Sequence, residues 1–123
     1  MDLTSIVGKI EQPWRGNLNG IRVLVCGDSD EGKLSIKLAR HSAAVVQLIA
    51  DKTTYNIVAQ AVPQALNYKL LLTNINEYQK ICSTHFDLIV ILEKHCNHTL
   101  PTSMGQNILK LKYNGNNDYI EMP

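Results

Sequence analysis

Residues Ile21–Ser42, IRVLVCGDSDEGKLSIKLARHS, decide the fold. An apolar run ends in a glycine loop, and a segment with helical spacing follows at once. Ile21–Cys26 reads as a strand buried on both faces, as a parallel sheet requires. Gly27 and Gly32 hold the turn. Gly32–His41 reads as a helix, with Leu34, Ile36, Leu38 and Ala39 as its apolar positions. A helix that starts at such a turn offers backbone N–H groups to an anionic or polar ligand. In α/β sheets ligands sit outside the carboxyl ends of the strands.

The rest of the chain repeats this grammar. Ala43–Ala50 is a second buried strand, with Asp51 at its carboxyl end. Thr53 or Thr54 caps a helix that runs to about Val62 and stops at Pro63. Tyr68–Thr73 is a third strand ending at Asn74, and Asn76–Ser83 a short helix. Phe86–Leu92 is the fourth and most apolar strand. Strands that alternate with helical segments imply βαβ units and a parallel sheet. Right-handed crossovers then bring the four strand ends to one edge.

At the ends of the chain the pattern differs. Leu3, Ile6, Val7 and Ile10 recur at helical spacing and Pro13 ends that helix, so residues 1–20 read as a helical arm and connector. Trp14 packs this arm onto the domain. The domain proper is 21–113. Residues 95–104 are polar and interrupted by Pro101. Ile108–Tyr113 alternates apolar and polar residues, which suits a half-exposed edge strand. Residues 114–123 read as a loosely held tail.

Composition excludes several function classes. With 123 residues there is room for one core. Twelve basic residues balance eleven acidic ones without a basic stripe, which gives no electrostatic case for a nucleic-acid or membrane partner. Three cysteines, Cys26, Cys82 and Cys96, are too few for a disulfide framework and fit a reducing compartment. Cys26 reads as a buried thiol. No signal peptide or membrane-length run is evident, so the expected location is cytoplasmic.

The order VLVCGDSDEGKLSIKLA, VVQLIAD, LLLTN, FDLIVILEKH resembles the class I S-adenosylmethionine-dependent methyltransferases, over roughly Gly20 to Leu100. The resemblance implies a Rossmann-like three-layer α/β sandwich with a mostly parallel sheet, a shortened form of the family core. It also implies S-adenosylmethionine as cofactor. Gly27 would let backbone approach the methionine part, and Gly32 would keep the turn tight. Asp51 would accept the two ribose hydroxyls, and Asn74 the adenine amino group. The cofactor-facing set is then Gly27, Asp28, Gly32, Asp51, Asn74 and Glu93. No catalytic acid, base or nucleophile stands out.

This chain departs from the family pattern in several places. Val25 or a neighbour stands where an acid is usual, and the loop is one residue longer. Ser29, Asp30 and Glu31 replace a further glycine, and Asp28, Asp30 and Glu31 make the loop unfavourable to a carboxylate or phosphate. Asn74 is neutral where Asp is common.

Other motifs are weaker. Gly27-x4-Gly32-Lys33 resembles a P-loop, but Leu34 replaces the magnesium-binding hydroxyl and Ser35 comes one position late. A dinucleotide fingerprint lacks its middle glycine, although Asp51 lies 24 residues beyond Gly27. A phosphatase loop at Cys26 lacks an arginine before Arg40. Glu93, His95, Cys96 and His98 could supply a base or two metal ligands, but no second cluster completes a metal site. A solvated loop is the better reading of them. Asn97-His98-Thr99 fits a glycosylation acceptor, without a secretion signal to support it.

The functions that remain are a methyltransferase-like domain that binds S-adenosylmethionine and transfers methyl to an unknown acceptor, a non-catalytic relative that assembles with a protein partner or as a homodimer, and a small nucleotide- or dinucleotide-sensing domain.

Overall fold

Strand β1 (Arg22–Cys26) has every residue after Arg22 buried, which its apolar sequence allows only at the centre of a sheet covered on both faces. The computed structural model describes residues 1–28, 32–62, 69–74, 85–92, 105–114, 116 and 118–122. Strands β2 (Val45–Ala50), β3 (Leu70–Asn74), β4 (Phe86–Leu92), β5 (Gly105–Tyr113) and β6 (Tyr119–Met122) complete a six-stranded sheet in the order β3-β2-β1-β4-β5-β6. The first five strands run parallel, and β6 returns antiparallel along β5. This is a Rossmann-like α/β fold, as the sequence implies.

Strand parity divides the core. Val23 and Val25 face the same side as Val46, Leu48, Leu88 and Val90, where three helices cover them. Those helices are α1 (Leu3–Glu11), α2 (Lys33–His41) and α3 (Lys52–Ala61). They contribute Ile6, Val7 and Ile10, then Leu34, Leu38 and Ala39, then Val58. Leu24, Cys26, Ile49, Phe86 and Ile89 form a second buried cluster. Trp14, in a single 3-10 turn after α1, packs partly buried against the first cluster.

Two readings of local sequence need correction. The cap of α3 is Asp51, whose Oδ1 accepts the Thr54 N–H at 2.8 Å, and not Thr53 or Thr54. Aspartate is as strong an N-cap as any residue, and the helix begins two or three residues earlier than the threonines suggested. Strand β5 lies inside the sheet between β4 and β6, and not at its edge. Its alternation is real, since Leu111 is buried while Ile108 and Lys110 are largely open, but alternation reports an open face and says nothing of hydrogen-bonding neighbours. The expected short helix at 76–83 and the segment 95–104 lie outside the described residues.

The end of the chain is held, contrary to the loose tail read from sequence. Tyr119 is 2% exposed and pairs across from Tyr113. Its N–H donates to the Met1 carbonyl at 2.6 Å, and the Met1 ammonium contacts Asp118 Oδ1 at 2.9 Å. Lys9 of α1 pairs with Glu121. Strands β5 and β6 thus pair antiparallel on either side of the Asn/Gly cluster, a composition common in hairpin connections.

Asp2 caps α1, with Oδ1 accepting the Ser5 N–H at 2.8 Å. That bond holds the Asp2 carboxyl below its ordinary value, helped by the Ser5 side chain, against an opposing effect of desolvation that outweighs either of the lesser contributions of the N-terminal ammonium and Lys37. A lowered folded-state pKa stabilises the fold above the unfolded value and is lost as pH falls through the folded one. The first turn of α1 is therefore expected to fray only below the usual aspartate range. Amide exchange at Ser5 and Ile6 should report this, and Asp2→Asn should abolish that acid dependence while keeping the cap.

Candidate functional site

The parallel strands β1 to β4 finish at one edge, and the register fixes what stands there. Cys26 is opposite Ile49, and Ala50 is opposite Asn74. Gly27, Asp51 and Asn74 thus follow or end three adjacent strands at nearly the same level. With strands about 4.8 Å apart, the row spans roughly 10 Å. The Gly27 N–H donates to the Ile49 carbonyl at 3.2 Å and extends the ladder one residue beyond β1.

Backbone conformation explains the two glycines. Gly27 has φ 87, so the chain turns out of the sheet through a region that L side chains rarely adopt. Gly32 is the N-cap of α2 with φ 67, and a Cβ there would lie 2.5 Å from Val58 Cγ2. Only glycine lets the start of α2 press this closely on α3.

Asp28 is 1% exposed. Its Oδ2 accepts both the N–H and the Oγ–H of Ser35, each at 2.9 Å. The Asp28 carbonyl accepts the Gly32 N–H at 3.3 Å and closes the loop. Ser35, treated in the sequence as a displaced P-loop hydroxyl, is instead the inner partner of Asp28. No familiar motif places a serine seven residues after an aspartate, so the sequence held no signal for this pair.

Asp51 is exposed, and Oδ1 serves the α3 cap. Its Oδ2 makes no intramolecular hydrogen bond among the described residues. A carboxylate fixed by one oxygen and open at the other suits a pair of vicinal hydroxyls. Glu93, His95, Cys96 and His98 lie outside the described residues. Among those described, no group of three His, Cys, Asp or Glu could hold a metal, and no helix is long and apolar enough to cross a membrane.

Cys26 is disulfide-bonded, which corrects its reading as a buried thiol. Cys82 and Cys96 both lie outside the described residues. Sequence spacing cannot show which cysteines a sheet edge brings together. The argument from cysteine count to a reducing compartment loses its basis accordingly.

No protein-family model matches the sequence, and a search of curated proteins finds no match. Solved structures do match. A proposed caffeoyl-CoA O-methyltransferase from Staphylococcus aureus is similar with TM-score 0.66 and 16% identity, over 85% of this chain and 56% of that one. A point mutant of MtNAS in complex with S-adenosylmethionine is similar with TM-score 0.63 and 11% identity, over 90% and 46%. A methyltransferase from Thiobacillus denitrificans in complex with S-adenosyl-L-homocysteine is similar with TM-score 0.54 and 16% identity, over 71% and 35%. The chain spans 34% to 56% of the lengths of these and the other leading matches. At such identities the likeness is one of fold, and the fold is the Rossmann-like α/β sheet that these structures share.

Proposed function

We propose that this chain is a methyltransferase-like domain that binds S-adenosylmethionine across the carboxyl edge of β1, β2 and β3. The observation that carries this reading is the row of Gly27, Asp51 and Asn74 at adjacent strand ends in a fold whose relatives were crystallised with that cofactor or its demethylated product. The residues fit the group. Gly27, without a Cβ and with positive φ, gives the methionine part access to backbone. Gly32 keeps the turn tight. The open oxygen of Asp51 accepts the ribose hydroxyls, and Asn74 stands one strand further on, where the adenine would lie.

The cofactor, when bound, supplies the activated methyl group, and the chain's own part is to bind and orient it. Glu93, the residue after β4 in sequence, belongs to the proposed cofactor-facing set but lies outside the described residues. Methyl transfer to an acceptor is the activity such binding would serve.

Calorimetry tests the reading. Micromolar binding of S-adenosylmethionine and S-adenosylhomocysteine is expected. Asp51→Ala should weaken it by about tenfold or more, because a hydrogen bond to a charged group contributes about 1.5–3 kcal/mol. It should also cost about 1 kcal/mol of stability through the lost cap, whereas Asp51→Asn should keep the cap and still bind more weakly. Absence of heat at millimolar ligand would end the proposal.

A further inference from the structure

Strand β6 is the last strand of the sheet, and its outer edge is occupied by the chain itself. Antiparallel partners alternate between pairs that exchange main-chain bonds and pairs that do not. The Asn114 N–H donates to the Asp118 carbonyl at 3.0 Å, so these two residues form a bonded pair. By alternation Asp118, Ile120 and Met122 turn their main-chain groups towards β5, and Tyr119 and Glu121 turn theirs outward. The close contact of the Tyr113 and Tyr119 rings agrees, since side chains approach most at unbonded pairs.

On that outer side the Tyr119 N–H donates to the Met1 carbonyl at 2.6 Å, and the Met1 amine donates to the Tyr119 carbonyl at 2.7 Å. This mutual exchange is the pattern of a bonded antiparallel pair. Met1 therefore stands where a further strand would place one residue, and it does so through main-chain groups alone. Asp118 Oδ1 holds the same amine at 2.9 Å. Nothing among the described residues pairs with the outward backbone of Glu121.

We propose that Met1 guards the β6 edge, and that its release lets a second copy of this chain add its own β6 antiparallel to this one, joining the two sheets across a two-fold axis. Open sheet edges recruit strands. A second copy suits this edge because the outward residues are two positions apart. A two-fold through Ile120 sets Tyr119 opposite Glu121 of the other copy, and the reverse, so every outward group is paired. In that register Ile120, exposed in the single chain, meets its equivalent at an unbonded pair, where Cα atoms approach to about 4.5 Å. The register that sets Glu121 against itself opposes like charges. Met1 and Glu121 of the second copy claim the same groups of Tyr119, so guard and dimer exclude each other. The inference is independent of the cofactor site proposed above.

Analytical ultracentrifugation combined with amide exchange tests it. A chain beginning at Leu3, freed from a leader by a protease, should dimerise with an association constant at least tenfold above that of the full chain. Asp2→Ala, which loses the α1 cap and keeps Met1, should match the full chain. In the shortened chain the Tyr119 and Glu121 amides should gain protection together as concentration rises. Glu121→Pro removes the outward N–H, which an edge strand tolerates, and should abolish the dimer. Glu121→Ala keeps that N–H and should preserve it.

A shortened chain that stays monomeric would overturn the proposal, and so would a dimer indifferent to Glu121→Pro. If the edge took back a peptide of residues 1–5 but no second copy, it would be a socket for the N-terminal segment alone and the proposal would fail. If the shortened chain does not fold, Asp118→Ala loosens Met1 in the full chain and leaves the α1 cap in place. A gain in dimer that Glu121→Pro reverses then supports the proposal, and no gain overturns it.

Discussion

Gly32→Ala is expected to destabilise the fold by about 2–5 kcal/mol, enough to unfold a domain of ordinary marginal stability. Two independent costs combine. A left-handed conformation costs an L-residue about 1–2 kcal/mol, and Gly32 sits at φ 67. The new Cβ would also lie 2.5 Å from Val58 Cγ2, with Val58 Cγ1 at 3.5 Å and Leu48 Cδ2 at 3.6 Å. Val58 is fully buried and stiff at χ1, so it cannot swing aside, and overpacking of this kind costs about 1–3 kcal/mol. The two costs separate in a double-mutant cycle. Val58→Ala removes the obstructing methyls, so Gly32→Ala should be much less damaging on that background. Equal damage on both backgrounds, read from denaturant midpoints, would place the whole effect in backbone strain.

Tyr119→Ala should cost about 3 kcal/mol or more, as removal of a buried aromatic ring does. Tyr119 belongs to the main core cluster, and its ring lies 4.9 Å from that of Tyr113 at an interplanar angle of 47°. Such aromatic pairs add about 0.5–1.5 kcal/mol beyond burial. The neighbouring Ile120 is 43% exposed on the other side of β6, so Ile120→Ala should change stability by about 0.5 kcal/mol or less. A contrast this large between adjacent residues is the signature of a paired strand. Equal and small effects would mean that the chain beyond Asn114 adds nothing to the fold.

Much of the parallel sheet was legible because its cause is local. Val23–Cys26, Val45–Ala50 and Phe86–Leu92 are apolar on both faces, and only a strand covered on both sides tolerates that. Their boundaries fall within two residues of the structure. The lead helix was equally plain, since Ile6, Val7 and Ile10 lie on one face and all are buried. The glycines of the loop were legible because a turn between strand and helix needs positive φ, which Gly27 and Gly32 supply.

What stayed hidden depended on partners distant in sequence. Strand β6 is four residues long, too short for periodicity to distinguish it from a tail. It is held by Met1 and Lys9, more than a hundred positions away. The place of β5 in the sheet depends on which strand lies on its far side, and alternation carries no such information. The disulfide at Cys26 is hidden for the same reason.

The loop from Gly27 to Gly32 shows the division most clearly. By itself the sequence determined that a ligand-facing turn joins a buried strand to a helix, because strand period, helix period and glycine are all local. It also showed that this turn is acidic. Only the tertiary structure decided where the Asp28 carboxylate goes. Ser35 is one turn into the helix, and packing α2 against Val58 brings it to the Asp28 carboxylate, which is buried there. Charge is a property of sequence, but burial and direction arise when helix and sheet close on one another.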